Sequence, residues 1–277
     1  MNLKLCGVVI LYKPDYEEVL KNISSYLNSL EKLYVINNSK IDNSFVSKLN
    51  KFDKIQLINP DSNIGISKAL NLALNISNKD GFSWLLTMDQ DTSFFNNSFD
   101  TFLESFKEID KKSLIIYSPI HNKKFLSKEK STHIEKDFVM TSGNILNIAF
   151  AKEIGGFEEK FFIDEVDHEF CFKAIKNKYK ILQNMNISVD HELGEKINSF
   201  TIYKPFRLYY MIRNYLYFRK TYFSAHEAFF KKRDKYLLKF FSRHILFSKE
   251  RITCIKMLFL GFTDYKNKKF GKLNNDY

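Results

Sequence analysis

Across its first 120 residues the chain alternates short, continuously apolar runs with stretches of helical periodicity, and that alternation narrows the possible folds more than any other feature. The runs Leu5–Tyr12, Leu33–Ile36, Ile55–Ile58, Trp84–Met88 and Leu114–Tyr117 read as buried strands. Between the first two, Val19, Leu20, Ile23, Tyr26, Leu27 and Leu30 recur at helical spacing, and Asp15, after Pro14, is placed to cap that helix. Further helices fit Ile66–Ile76 and Phe99–Ile109. Strands separated by helices need right-handed crossovers, which predicts an α/β domain built on a mostly parallel sheet. Ligands of such sheets bind outside the carboxyl ends of the strands, so the loops after each strand are where chemistry is to be sought.

Composition sets the outer limits. Of 277 residues 44% are apolar, with only nine Gly and four Pro, which excludes a mainly disordered or collagen-like chain. No run reaches the ~18 apolar residues of a membrane-spanning helix. Leu5–Tyr12 is short and lacks a small-residue cleavage site, so it reads as a first strand, not a signal core. Cys6, Cys171 and Cys254 are scattered and odd in number, which argues against a disulfide framework or a zinc site and for a cytoplasmic protein with reduced thiols. There is no G-x-G-x-x-G, G-x-x-x-x-G-K-[ST] or G-x-S-x-G, which counts against a dinucleotide dehydrogenase, a P-loop enzyme and a serine hydrolase of the usual α/β kind.

Charge divides the chain near residue 200. Residues 201–277 carry 18 Lys/Arg against 5 Asp/Glu, while residues 1–200 carry 25 against 27. The last 77 residues also hold 20 of the 44 aromatics. A body at 1–200 with a basic, aromatic helical extension at 201–277 follows. Basic faces beside aromatic ones suit helices lying on an anionic bilayer, and equally helices whose aromatics pack inward while the lysines are solvated. A nucleic-acid grip is a third use of such a tail. No nucleic-acid module is present, however, and the charge avoids the motif-bearing domain, so no nucleic-acid partner is expected.

Three acidic or basic clusters carry the chemistry. Asp89-Gln90-Asp91 follows the strand Trp84–Met88, and carboxylates at i and i+2 of an extended chain leave on the same side. At a strand's carboxyl end they can hold a hard divalent cation that keeps waters and phosphates, or they can be a solvated acidic turn. Phe161–Phe170 packs four acids, Asp164, Glu165, Asp167 and Glu169, into six residues at the start of a helical pattern. Asp164 as a helix cap accounts for one or two of these, and a carboxylate there can equally serve as a general base. The helix dipole lowers such a pKa, so burial would have to oppose it. His191 ends another strand-like run. Asn63-x-Gly65 and Thr141-Ser142-Gly143-Asn144 are turn signals that let a ligand approach the backbone, or are ordinary turns.

Taken in order with Val35-Ile36-Asn37-Asn38-Ser39, Ile66–Asn71 and Gly155-Gly156-Phe157, these pieces resemble the inverting family 2 glycosyltransferases over roughly residues 3–200. The stretch Phe162–Cys171 and the downstream His191-Glu192-Leu193-Gly194 look most like the bacterial rhamnosyltransferase subgroup. The resemblance implies the nucleotide-sugar-binding GT-A fold. It places Asp89 near the ribose or the metal, and Asp91 and His191 on Mg²⁺ or Mn²⁺. Asp167 becomes the catalytic base. Tyr12, Asn37, Asn63, Gly65 and Lys68 would bind the donor, with Asn37 facing the pyrimidine where the family usually has Asp. Thr141, Ser142, Gly143, Asp164 and Glu165 would line the acceptor side, and Lys173 stands where Arg is common. The implied reaction moves a sugar, L-rhamnose from dTDP-L-rhamnose, to a lipid-linked or oligosaccharide acceptor of cell-surface polysaccharide assembly, on the inner face of the cytoplasmic membrane. A galactofuranosyl or hexosyl transfer from a UDP-sugar uses the same machinery. An inactive relative that only binds nucleotide is disfavoured by intact Asp91, Asp167 and His191.

Overall fold

The computed structural model describes residues 3–121, 132–191, 196–197 and 200–273, with backbone alone for 97, 191, 196–197 and 200–201. The chain divides into two compact units: Met1–Glu158 with Phe170–Glu192, and Glu159–Glu169 with Leu193–Tyr277.

The first unit is built on a sheet of nine strands. Strand β1 (Leu5–Leu11), buried along its whole length, pairs in parallel with β2 (Lys32–Asn37) on one side and β4 (Trp84–Asp89) on the other, and β3 (Ile55–Ile58) extends the row beyond β2. Helices α1 (Tyr16–Ser24), α2 (Asn43–Leu49) and α3 (Gly65–Lys79) make the crossovers. Asp15 does cap α1, its carboxylate accepting from the Glu17 and Glu18 amides at 3.1 Å. The chain steps outward from β1 to β3 and then returns to the opposite flank of β1, so the strand order reverses between β1 and β4. A crevice outside the carboxyl ends of these two strands is the place such sheets reserve for a ligand.

Beyond β4 the sheet becomes mixed. Strand β8 (Asn144–Asn147) runs antiparallel to both β4 and β6 (Leu114–Ile120). Strand β6 runs parallel to the long β9 (Lys180–His191), which takes β5 (Thr92–Phe94) and β7 (His133–Glu135) as antiparallel partners. Alternation along β1 sorts the two faces: Leu5, Val9 and Leu11 join a core with Ile23 of α1 and Phe99, Phe102 and Phe106 of α4 (Phe99–Glu108). Cys6 faces the other way, its thiol 3.2 Å from Ser77 of α3. Phe102 stacks on Tyr117 at 4.5 Å and Phe106 meets Trp84 edge-on at 4.8 Å. Each such ring contributes roughly 1.5–3 kcal/mol through burial.

The second unit is mainly helical: α7 (Pro205–Tyr222), α8 (Glu227–Phe247) and α9 (Arg251–Lys266). Helix α7 starts with Pro in the first turn, where its missing N–H costs nothing. It passes close to α9 at Gly261, where an added Cβ would lie 2.6 Å from the Tyr209 carbonyl oxygen. Arg213 is buried, donating to the Tyr209 hydroxyl at 2.9 Å and to the Asn214 side-chain oxygen at 3.0 Å. Tyr209 in turn donates to Asp264 at 2.8 Å. The tail's aromatics part company: Tyr209, Tyr210, Tyr215, Phe218, Tyr222 and Phe230 are buried, whereas Tyr236, Phe247, Phe259 and Phe262 are exposed. Among the described residues no helix is long and apolar enough to cross a membrane.

Candidate active site

At the end of β4 the backbone is clasped by the segment entering β8. Gly143 N–H donates to the Thr87 carbonyl at 2.7 Å, Thr87 Oγ1 donates to the Thr141 carbonyl at 2.6 Å, and Asp89 N–H donates to Ser142 Oγ at 2.9 Å. Thr141-Ser142-Gly143 is thus more than a turn. It is stapled to Asp89, whose backbone N–H donates to the Ser142 hydroxyl oxygen. Gly143 has φ +83°, and an added Cβ would fall 2.7 Å from Pro119 Cγ.

The residue between the two aspartates does the next part. Gln90 Oε1 accepts from Tyr12 N–H at 2.8 Å while its Nε2 donates to the Tyr12 carbonyl at 3.2 Å, so its carboxamide mimics a strand partner for the loop after β1. Asn22 Nδ2 donates to the Gln90 carbonyl at 3.0 Å, fixing the main chain between Asp89 and Asp91. Tyr12 itself is half exposed. Gln90 carries no signal in the sequence beyond standing between the carboxylates, and Asn22, on α1 and 68 residues earlier, carries none.

Further amides lace the remaining loops. Lys13 N–H donates to Ser39 Oγ at 2.7 Å, tying the loop after β1 to the one after β2. The Asn37 amide donates to Asn59 at 3.0 Å, and its oxygen accepts from Ser39 N–H at 3.1 Å. The Ser39 hydroxyl also points at that oxygen, at 3.5 Å, so a pyrimidine N–H could use Asn37 as its acceptor only by displacing the hydroxyl. Asn38, buried, accepts from Ile64 N–H at 3.1 Å and donates to the Gly65 carbonyl at 3.3 Å. Asn63 closes its own turn by accepting from Gly65 N–H at 2.9 Å. Lys68 stands exposed in the first turn of α3. Tyr12, Asn37, Asn63, Gly65, Asp89 and Asp91 therefore all lie at the carboxyl ends of β1 to β4 or on the loops and helix start that follow them, together with Thr141–Gly143.

Two motif pieces prove to be scaffold. Asn71 accepts from Phe157 N–H at 2.8 Å and donates to the Phe157 carbonyl at 2.9 Å, while Lys173 donates to the Gly156 carbonyl at 2.9 Å. Gly156, with φ +66°, admits the Asn71 side chain where a Cβ would be 2.5 Å away.

For a cation, Asp89 and Asp91 offer hard oxygen donors on one short turn. Among the described residues no three His, Cys, Asp or Glu side chains gather closely enough to enclose a metal. Mg²⁺ or Mn²⁺ commonly takes one or two carboxylates and completes its shell with water and phosphate, so this donor set fits. Register pairs His191 with Thr92, the residue after Asp91. The His191 side chain, and Glu192-Leu193-Gly194 after it, lie outside the described residues.

In the second unit the four acids separate sharply. Arg207 of α7 grips Asp164 through Nε and Nη2, at 3.1 and 2.9 Å from Oδ1. Arg233 of α8 places Nη2 2.6 Å from Glu165 Oε1, and Tyr222 donates to Glu169 Oε1 at 2.9 Å. Asp164 is therefore an arginine partner and not a cap: α6 (Val166–Lys176) begins two residues later. Asp164 and Glu165 both take left-handed backbone conformations, φ +64° and +63°. That costs roughly 1 kcal/mol each, and Asn214 Nδ2 opposes it by donating to the Ile163 and Asp164 carbonyls. Asp167 has none of these partners. Among the described residues its carboxylate, 27% exposed, meets the backbone N–H of His168 at 2.9 Å and the His168 ring at 3.3 Å.

The two aspartates titrate in opposite directions. Burial pushes the Asp164 carboxyl above its ordinary value, and Arg207 recovers only part of this. Burial also pushes Asp167 up, but the His168 hydrogen bonds and charge, with Arg233 behind them, outweigh it and hold Asp167 below the usual range.

A sequence model described as glycosyl transferase family 2 matches residues 8–183. The dTDP-rhamnosyl transferase RfbF of Shigella flexneri is 27% identical, over 80% of this chain and 82% of its own. Among solved structures, TarS 1-349 of S. aureus in complex with UDP-GlcNAc superimposes with a TM-score of 0.55 at 18% identity, covering 95% of this chain and 80% of that one. GalNAc-T7 with UDP, GalNAc and Mn²⁺ gives 0.61 at 12% identity over 79% of this chain, which spans 48% of that enzyme's chain. These likenesses establish the GT-A arrangement of the fold.

Proposed function

The chain belongs to glycosyl transferase family 2 and is a glycosyltransferase, and we propose that it moves L-rhamnose from dTDP-L-rhamnose, with inversion, to a saccharide hydroxyl. The similarity to the Shigella enzyme supports the donor. The acceptor we take to be a lipid-carried or free saccharide of cell-surface polysaccharide assembly. One observation carries the chemistry: of four clustered carboxylates, Asp167 alone is not taken up by an arginine or a tyrosine among the described residues.

The acceptor oxygen forms its bond to the anomeric carbon as the bond from that carbon to the diphosphate breaks, and the hydroxyl proton passes to Asp167. A carboxylate held below its usual pKa is a weak base toward a free alcohol. It suffices once the forming bond has made that oxygen acidic, so the proton moves late. Attack opposite the leaving group turns a β-linked donor into an α-glycoside. The loops after β1 to β4 would hold the nucleotide, with the Asn37 side-chain oxygen accepting from the pyrimidine N–H in place of the Ser39 hydroxyl. Asp89 and Asp91 would hold Mg²⁺ or Mn²⁺, which would supply Lewis acidity to offset charge gathering on the diphosphate.

The test follows nucleoside diphosphate release from dTDP-L-rhamnose, UDP-hexoses and UDP-galactofuranose, with and without EDTA. Release of dTDP that EDTA stops and Mn²⁺ restores is expected. Asp167→Asn should lower kcat by roughly 10²–10⁴-fold while leaving calorimetric dTDP binding unchanged. Preference for a UDP-sugar would overturn the donor, and wild-type turnover in Asp167→Asn would overturn the base.

A further inference from the structure

Helix α9 is apolar on two opposite faces. Cys254, Met257 and Gly261 are buried, and the close approach of Gly261 to Tyr209 and Ile212 seats that face on α7. Ile252, Ile255, Phe259 and Phe262 follow one another at steps of three, four and three, which puts them on a single stripe, and each is between 44% and 72% exposed. A helix that is apolar all round is ordinarily covered all round. Here one of the two faces lies open. An exposed apolar stripe of this kind marks a surface that meets something other than water.

The charges beside the stripe indicate what it meets. Arg251, Lys256 and Lys266 are exposed on α9, and the Lys266 ammonium lies 5.3 Å from the centre of the Phe262 ring. Lys249 precedes the helix and is exposed as well. Of the two acids nearby, Glu250 sits at the helix start and Asp264 is engaged by Tyr209. A second copy of this chain would set these cations against their own kind across a two-fold contact. An anionic bilayer satisfies both features, since acyl chains accept the Ile and Phe side chains while long Lys and Arg side chains reach back to the phosphates.

We propose that α9 lies in the plane of an anionic lipid surface, its Ile252–Ile255–Phe259–Phe262 stripe in the boundary between headgroups and acyl chains and Arg251, Lys256 and Lys266 at the lipid phosphates. This docking does not depend on the sugar-transfer reading, because it needs neither donor nor acceptor.

The experiment floats the full chain with vesicles of phosphatidylcholine alone or mixed with phosphatidylglycerol, at low and high salt. Wild type is expected to float with the mixed vesicles and to be released by salt. Ile252→Ser with Phe259→Ser should abolish flotation, and Lys256→Glu should weaken partition by at least about fivefold, the worth of one basic side chain near such a surface. All these positions are exposed, so unchanged circular dichroism is expected in each variant. Phe259→Trp supplies a second readout, a blue shift of emission on adding anionic vesicles. Absence of flotation and of that shift overturns the proposal, as does equal flotation of wild type and Ile252→Ser/Phe259→Ser. A concentration-dependent dimer abolished by those two serines would assign the stripe to a second copy instead.

Discussion

Arg233, in the middle of α8, places its guanidinium 2.6 Å from the carboxylate of Glu165, which stands 68 residues earlier in the chain and is almost wholly buried. The other carboxylate oxygen of Glu165 lies 3.4 Å from Nδ1 of the His168 ring. Arg233→Ala would leave that buried carboxylate with only the His168 ring beside it, at a cost of up to about 3–5 kcal/mol, whereas replacing both partners together, as Glu165→Gln with Arg233→Met, should recover most of it. Urea unfolding of the two single variants and the double variant measures this. Additive losses would mean that the pair is not coupled.

The depressed pKa of Asp167 has a direction that can be moved. His168 and Arg233 favour the charged form, so His168→Ala should raise the Asp167 pKa and carry the acid limb of the kcat/KM profile to higher pH. In stability the same shift contributes above the unfolded value of ~3.9 and is lost as pH falls through the folded value. Asp164 runs the other way: its folded pKa is raised, so its ionisation opposes folding at neutral pH and that cost is relieved on acidification through the folded value. An acid limb unchanged in His168→Ala would show that the limb belongs to another group.

Gln90 holds Tyr12 by both atoms of its carboxamide. Gln90→Ala removes two hydrogen bonds worth about 1 kcal/mol each, and donor binding should weaken between about fivefold and thirtyfold with kcat little changed. Gln90→Glu keeps the acceptor for Tyr12 N–H, loses the donor and adds a third negative charge to the turn. It should bind dTDP more weakly than Gln90→Ala when no divalent cation is present. Calorimetry on both variants ranks them.

Gly143 and Gly155 share a left-handed backbone, φ +83° and +85°, but differ in surroundings. A Cβ at Gly155 meets nothing within 4 Å, so Gly155→Ala should cost only the conformational strain, about 1 kcal/mol. A Cβ at Gly143 meets Pro119 at 2.7 Å and Val189 at 3.1 Å, which adds roughly 1–3 kcal/mol of overpacking and loosens the clasp on Asp89. Thermal melting that fails to separate the two variants would mean Pro119 gives way.

What the sequence made legible is what local physics dictates. Asp15 as a cap, the helix that begins at Gly65 and the strands β1 to β4 each follow from periodicity and flanking residues within a dozen positions. Most of β9 was not legible, because Gln183, Asn184 and Asn186 interrupt the apolar run and are explained by partners elsewhere: Asn184 donates to the Tyr117 hydroxyl at 2.8 Å. The positions Asp89 and Asp91 were legible as carboxylates at a strand end, but Gln90 was only the letter between them. In the acidic segment, sequence could count four carboxylates and not sort them. The sorting comes from Arg207, Tyr222 and Arg233, at separations that carry no periodic signal.

The loops after β1 to β4 are tied almost entirely by neutral carboxamides and hydroxyls, from Asn37, Asn38, Ser39, Asn63 and Gln90. The segment bearing Asp167 is anchored by ions, including Arg207, which is more than a third exposed. Dissolved salt screens the second kind of tie and barely touches the first. Rising ionic strength should therefore loosen the segment bearing Asp167 before it loosens the loops after β1 to β4.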